Sequence, residues 1–264
     1  MSTCTLAELI IDAASKAWEN DGELLATGIT PLPRLAASLA KTTLNPALMI
    51  TDGECWFAEE PVPPGPRGDR PVRIEGWAPY ARTFENLWSG KRHAMVAPVQ
   101  LDRFGQTNIS VIGDHAKPRA QMLGARGFPG NTLHHPNSYF FPAHSRRALV
   151  QGEVDFVCSV GYNPARWPEG KMPKKLDLRL IVTNLCVLDF GGPDHAIRLV
   201  SLHPGVPLAE VHDNTGFELA LPENPIPTTN LPSAETLAEI ARLDPNNIRA
   251  TILKNNPPAV RETP

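Results

Sequence analysis

Apolar and polar positions recur along this chain in two rhythms. Near the start, Leu6, Leu9, Ile10, Ala13 and Ala17 follow Thr5 and Glu8 at helical spacing. The T-x-x-E pair is a capping box, so an amphipathic helix is predicted over about the first twenty residues. A strand is expected at Leu24 to Thr27, a turn at Gly28-Ile29-Thr30-Pro31, a helix from Leu32 to Lys41 and a strand from Ala47 to Thr51. This β-turn-α-β order, with short apolar strands, suggests parallel strands covered by helices. Tyr80 to Gly90 reads as a helix with Phe84, Leu87 and Trp88 facing inward, and His93 to Val99 as a strand. From there the rhythm shortens. Ile109 to Ile112, Ser138 to Phe141, Asp155 to Val160, Leu178 to Thr183, Cys186 to Phe190 and Ile197 to Leu202 are strand-like and separated by turns. The second half is therefore expected to be richer in β-structure, with a hairpin from Leu180 to Phe190 pivoting on Thr183-Asn184. A last helix is expected from Ser233, its cap, to Arg242.

Composition narrows the class. With 264 residues, 42% of them hydrophobic and 20% charged, the chain has the balance of a globular protein, and one domain over residues 1–264 is the simplest count. Prolines, 28 in all, crowd residues 61–79, which reads as a surface arm because proline lacks an amide donor and fixes φ. Residues 255–264 read as a loosely ordered tail. A net charge of −3 draws the protein toward neither nucleic acid nor an anionic membrane, so small-molecule chemistry is favoured. The opening segment lacks the basic leader and uncharged apolar core of a secretory signal, and the longest apolar run, Leu180 to Leu188, is too short to span a bilayer. Four cysteines, Cys4, Cys55, Cys158 and Cys186, show neither zinc nor disulfide spacing. A soluble protein of a reducing cytoplasm, without metal, fits these features.

Several segments, in order, resemble the β-subunit of class I CoA-transferases. The turn Gly28-Ile29-Thr30-Pro31 is one. Ala97-Pro98-Val99-Gln100-Leu101-Asp102 followed by Gly105 and Asn108 is a second, and the hairpin Leu180 to Val187 a third. Pro204-Gly205-Val206 with Val211, Thr215 and Gly216 resembles the family's ending, so the likeness covers roughly residues 5–220. It implies an α/β fold with an open mixed sheet and flanking helices, and an active site shared with an α-type CoA-transferase-like subunit, as an α2β2 heterotetramer.

Two places bear on the chemistry. In the transferase pattern a strand runs into a Ser-Glu-Asn-Gly turn whose glutamate attacks the acyl-CoA carbonyl; here the turn reads Ile50-Thr51-Asp52-Gly53, with Thr51 at the glutamate's position. Threonine cannot form the acyl anhydride and glutamyl thioester that transfer requires. The second place is Gly124-Ala125-Arg126-Gly127, matching a glycine-rich loop whose backbone amides face the thioester oxygen in the family, here with an arginine added. A fork-shaped, permanently charged donor there suits an enolate, a carboxylate or a thioester carbonyl.

A transferase framework without its glutamate, but with that arginine, resembles the CoA-transferase-like hydrolases of bacterial steroid degradation, the IpdAB type. The resemblance implies hydrolytic opening of the last steroid ring of a cyclic β-keto CoA thioester. Arg126 with the amides of Gly124 and Gly127 would stabilise the anion, with Asn108, Thr51 and Asp52 near the acyl group, and no cofactor beyond the CoA of the substrate. Two readings compete with it: an acyl-CoA:carboxylate CoA-transferase using Asp52 or Glu54, and a non-catalytic scaffold subunit. His134 and His135 read as structural or pocket-lining residues, Arg146, Arg147 and Lys171 to Lys175 as solvated charges or contacts to CoA phosphates, and Trp56, Phe57 and Phe140 as core or pocket walls.

Overall fold

The computed structural model of the chain describes residues 4–53, 55–222 and 225–261, the side chain of Thr83 aside. The chain divides into two compact units, Met1–Val96 with Asn230–Pro264, and Ala97–Thr229.

The first unit opens with α1 (Leu6–Ser15), started by the expected capping box: the Thr5 side chain accepts from the Glu8 amide, and the Glu8 carboxylate accepts from the Thr5 amide at 2.8 Å. Eight of its ten residues are buried, against α2 (Pro31–Leu39) among other elements. Between them runs β1 (Leu25–Gly28). Gly28 has to be glycine, because a Cβ there would lie 2.2 Å from the Pro33 carbonyl where α2 crosses the strand end. After α2 and a π-helical turn at Ala40–Leu44, the chain forms an antiparallel sheet of β2 (Ile50–Thr51), β3 (Trp56–Ala58) and β4 (Ile74–Trp77). Strand β4 lies inside the proline-rich arm, just past its last clustered proline, Pro71, where amides are again available for pairing.

Helix α3 (Tyr80–Ser89) is where periodicity misled. Leu87 is buried, but Phe84 and Trp88 are 36% and 59% exposed, and with Tyr80 they form an aromatic row along the helix, Tyr80 edge-to-face with Phe84 and Phe84 tilted against Trp88. Trp56, expected in a core or pocket wall, is likewise 36% exposed, opposite Trp77 in the sheet. The unit's first segment ends in β5 (Arg92–Val96), buried throughout and parallel to β1 with Gly28 opposite Met95. It stops short of the expected Val99.

The second unit begins with short paired strands, β6 (Gln100–Leu101) with β7 (Thr107–Asn108), and β8 (Val111–Ile112) with β9 (Ala120–Gln121). A loop leads into α4 (Phe128–His134), a helix hidden in the sequence by Pro129 and Gly130 in its first turn. Strand β10 (Asn137–Phe141) pairs parallel with β11 (Leu178–Thr183), which returns antiparallel through β12 (Cys186–Asp189) to β13 (Arg198–Leu202), making a mixed sheet. The hairpin pivots where expected: the Thr183 hydroxyl accepts from the amides of Leu185 and Cys186, closing the turn locally. Asp155 to Val160, expected as a strand, forms none. Only Ser159 pairs, in a single antiparallel bridge to Thr107, while the Asp155 amide goes to the Gln100 side chain. A short α5 (Leu208–Asn214) completes this unit.

The chain then rejoins the first unit as α6 (Ala234–Leu243), capped by the Ser233 hydroxyl at 3.1 Å from the Thr236 amide. The segment after it is tied down where looseness was expected: Leu6 donates to Pro257 at 2.8 Å, and Ala259 donates to Cys4 at 2.9 Å and is buried. Among the described residues no helix is long and apolar enough to cross a membrane.

Candidate active site

The residues singled out in the sequence divide between the units, Thr51 and Asp52 in the first and Asn108, Gly124, Arg126 and Gly127 in the second.

In the first unit, Thr51 lines a cavity of about 330 Å³ with Gly28, Arg34, Ser38, Gly53 and Arg92 among its neighbours. Local rules account for the layout. The Gly28 to Pro31 turn lets α2 start directly over the end of β1, which carries Arg34 across the cavity. Gly53, at φ 89, keeps its backbone flat beneath that side chain, since a Cβ would sit 3.1 Å from Arg34 Nη1. Arg34 Nη2 donates to the carbonyls of Asp52 and Val62 at 3.4 and 3.3 Å, and Arg92 Nε donates to the Thr27 hydroxyl at 3.1 Å. Burial lowers both arginines, Arg92 to about 10, because desolvation penalises the charged form.

Asp52 does not join this lining. Its carboxylate is buried, accepting from the Trp56 amide at 3.1 Å and pairing with Arg67 at 2.9 Å, so it braces the turn against the proline-rich arm. The sequence reading sets Asp52 near the acyl group; in the structure its carboxylate is engaged with its own turn and with Arg67. Glu54, the other acid offered as a nucleophile, lies outside the described residues.

In the second unit, Gly124, Arg126 and Gly127 share the loop between β9 and α4. Arg126 is exposed, makes no ion pair among the described residues and holds a left-handed backbone at φ 51. Gly124 is left-handed too, at φ 84, which explains the glycine there; at Gly127 a Cβ would meet nothing, so no steric demand fixes that residue. The amides of Gly124, Arg126 and Gly127 donate to no backbone acceptor among the described residues.

Asn108 is different. Its Nδ2 donates to Gln100 Oε1 at 2.7 Å and the Val111 carbonyl at 2.6 Å, and its Oδ1 accepts from the Ser110 amide at 2.9 Å. The buried amide, which the sequence reading sets near the acyl group, is occupied in binding β6 and β8 to β7. His134 Nδ1 lies 2.9 Å from the Gly130 carbonyl, within α4, and His135 is buried, both in structural surroundings. Arg146 and Arg147, together with Arg119, line a cleft of about 950 Å³ in the second unit, whereas Lys171 is an exposed partner of Glu169. Phe140 is core, at 2% exposure. Sequence reading passed over Arg34 and Arg92; the only available signal was a charged residue within an otherwise apolar helix and an apolar strand.

The fold and the glutamate position place the chain in a class first. It superposes on glutaconate coenzyme A-transferase of Acidaminococcus fermentans with a TM-score of 0.75 at 23% identity, over 93% of this chain and 96% of that one, which identifies a CoA-transferase-type subunit fold. No protein-family model matches the sequence. IpdAB of Rhodococcus jostii RHA1 superposes with a TM-score of 0.86 at 38% identity, covering 95% of this chain and 99% of that chain. The cholesterol ring-cleaving hydrolase IpdB subunit of Mycobacterium tuberculosis is 39% identical over 246 residues, 93% of this chain and 97% of its own length. The chain belongs to the family of these IpdB subunits.

Proposed function

We propose that this chain is the β-type subunit of a CoA-thioester hydrolase that opens the last ring in bacterial steroid degradation, working with an α-type subunit in an α2β2 assembly. The observation that carries it is the cavity at the transferase nucleophile's position, lined by Thr51, Arg34 and Arg92, while the Asp52 carboxylate pairs with Arg67. The substrate class comes from the likeness to the cholesterol ring-cleaving hydrolase subunits. The four thiols, none of them in a disulfide, suit the cytoplasm.

In a cyclic β-keto thioester, water adds its oxygen to the ring ketone, the bond from that carbon to the α-carbon breaks, and its electron pair enters the thioester enolate. A proton returned to the α-carbon yields the opened thioester, and the former ketone becomes a carboxylic acid. The enolate is the anion that forms only along this path, so a preorganised positive group counts most there. Arg126, with the amides of Gly124 and Gly127, fills that role. The base that activates water comes from the α-type subunit, and the reaction requires no cofactor beyond the CoA that the substrate carries.

The assembled complex should open the ring without any acyl-enzyme. Incubation with the thioester followed by borohydride should leave the mass of this chain unchanged. Reduction of Asp52 or Glu54 to an alcohol, located by peptide mapping, would establish the transferase reading instead.

A further inference from the structure

Helix α3 carries an aromatic face that the first unit leaves open. Tyr80, Phe84 and Trp88 recur every four residues, and their rings meet in sequence at 5.2 and 5.9 Å between centroids. Leu87, on another side of the helix, is buried. Just before the helix, Trp77 is 65% exposed at the end of β4, opposite the half-exposed Trp56 of β3. Five aromatic side chains so placed leave about 600 Å² open to water. That is most of the roughly 800 Å² that one side of a standard interface covers. The helix also offers no net charge, because its two charged residues, Arg82 and Glu85, pair with each other at 3.0 Å. A surface that is rich in aromatics and poor in charge has the composition of an interface centre, and a solvated helix face does not.

Resting on the hydrolase reading above, we infer that this face is where the α-type subunit docks. The position of the face selects that partner over a second copy of this chain. Ala78, which lies between Trp77 and Tyr80 in sequence, lines the cavity at Thr51. Strands β2, β3 and β4 form one sheet, so Thr51 and Trp77 are two strands apart. The base that activates water belongs to the α-type subunit, and a subunit that brings a base to this cavity passes over Trp77 and the start of α3.

The test follows Trp88 through assembly. The full chain is labelled with 5-fluorotryptophan, the Trp88 resonance is assigned through Trp88→Phe, and unlabelled α-type subunit is added. The Trp88 resonance should shift and become shielded from a soluble paramagnetic probe, while that of Trp18, fully buried, should not change. Phe84→Asp and Trp88→Asp should each raise the Kd for the α-type subunit by about 30-fold or more, the scale of a lost hot-spot aromatic. Both should melt close to wild type as free chains, since neither side chain is buried. Val260→Asp, at a comparably exposed apolar position of the same unit, should leave the Kd unchanged. A Trp88 as accessible in the complex as in the free chain overturns the inference, and this wild-type result decides alone if the aspartate variants melt early. Assembly that the two aspartates do not weaken, or that Val260→Asp weakens as much, also overturns it. So does a free chain that self-associates and covers Trp88 by doing so. A complex that covers Trp88 but opens no ring would leave the docking face standing and overturn the hydrolase reading instead.

Discussion

The two units bury polar groups in opposite ways. In the first, buried charge meets opposite charge: Asp52 pairs with Arg67, and Arg249 bridges Glu8 and Asp244, each at 3.1 Å, joining the cap of α1 to the end of α6. In the second, neutral donors and acceptors predominate. Asp102 accepts from the amides of Phe104 and Gln106 and the Gln106 side chain, while His144 lies between the hydroxyls of Thr183 and Thr215, at 3.0 and 2.9 Å. Their candidate arginines differ accordingly. Arg34 is packed into a cavity that positions it, whereas Arg126 projects from a loop that pays for a left-handed arginine with backbone strain. An arginine exposed on a loop suits an anion that appears during reaction.

The largest effect that would break this contrast concerns Arg126. In the assembled complex, Arg126→Ala should lower kcat by about two to three orders of magnitude, the usual scale of losing one oxyanion donor. Binding should suffer less, and lysine should restore little because it lacks the planar fork. Near-normal turnover in the alanine variant would remove Arg126 from the mechanism and favour the scaffold reading.

Next in size is the neutral network of the second unit. Burial, with help from the charge of His203, holds His144 down to about 4 from an ordinary 6.5. Between those values the unfolded chain binds the proton that the folded chain refuses, so stability falls as pH drops from 6.5 toward 4 and is flat above that window. The loss should reach about 3 kcal/mol near pH 4. Asp102, raised by burial, pulls the opposite way, so urea melts should be compared with His144→Gln. Parallel pH profiles for the two proteins would show that His144 is not held neutral.

In the first unit the corresponding test is Arg67→Met. It strands the buried Asp52 carboxylate, and since Arg67 is itself about a third exposed the loss should be about 2 kcal/mol. A melting temperature equal to wild type would mean that the pair contributes nothing to the turn below Thr51. The smallest effect is the most discriminating for the loop. Arg126→Gly relieves the positive φ and should stabilise the chain by up to about 1 kcal/mol while losing as much activity as alanine. A destabilised glycine variant would show that the arginine side chain supports the loop rather than straining it.

What the sequence determined by itself was local. Thr5 with Glu8, Ser233, the Thr183 turn and the glycine at Gly28 each act within a few residues, so their helices, cap and hairpin were legible before any packing was known. The missing glutamate was legible for the same reason, because a motif preserves spacing. Tertiary structure decided the rest. Helical period places Phe84 and Trp88 on one face of α3 but says nothing about what covers that face, and in this chain it is exposed. Asp155 to Val160 has strand composition, yet its amides found the Gln100 side chain and the Thr107 carbonyl before any ladder. Asp52 looked available until Arg67, fifteen residues on, was seen beside it, and Asn108 until Gln100 and Val111 occupied its amide. Arg34 was the converse, an unremarkable charge in a helix until the fold set it in a cavity with Arg92. Hydrogen-bond partners and desolvation depend on which distant segments meet, and spacing along the chain does not encode that meeting.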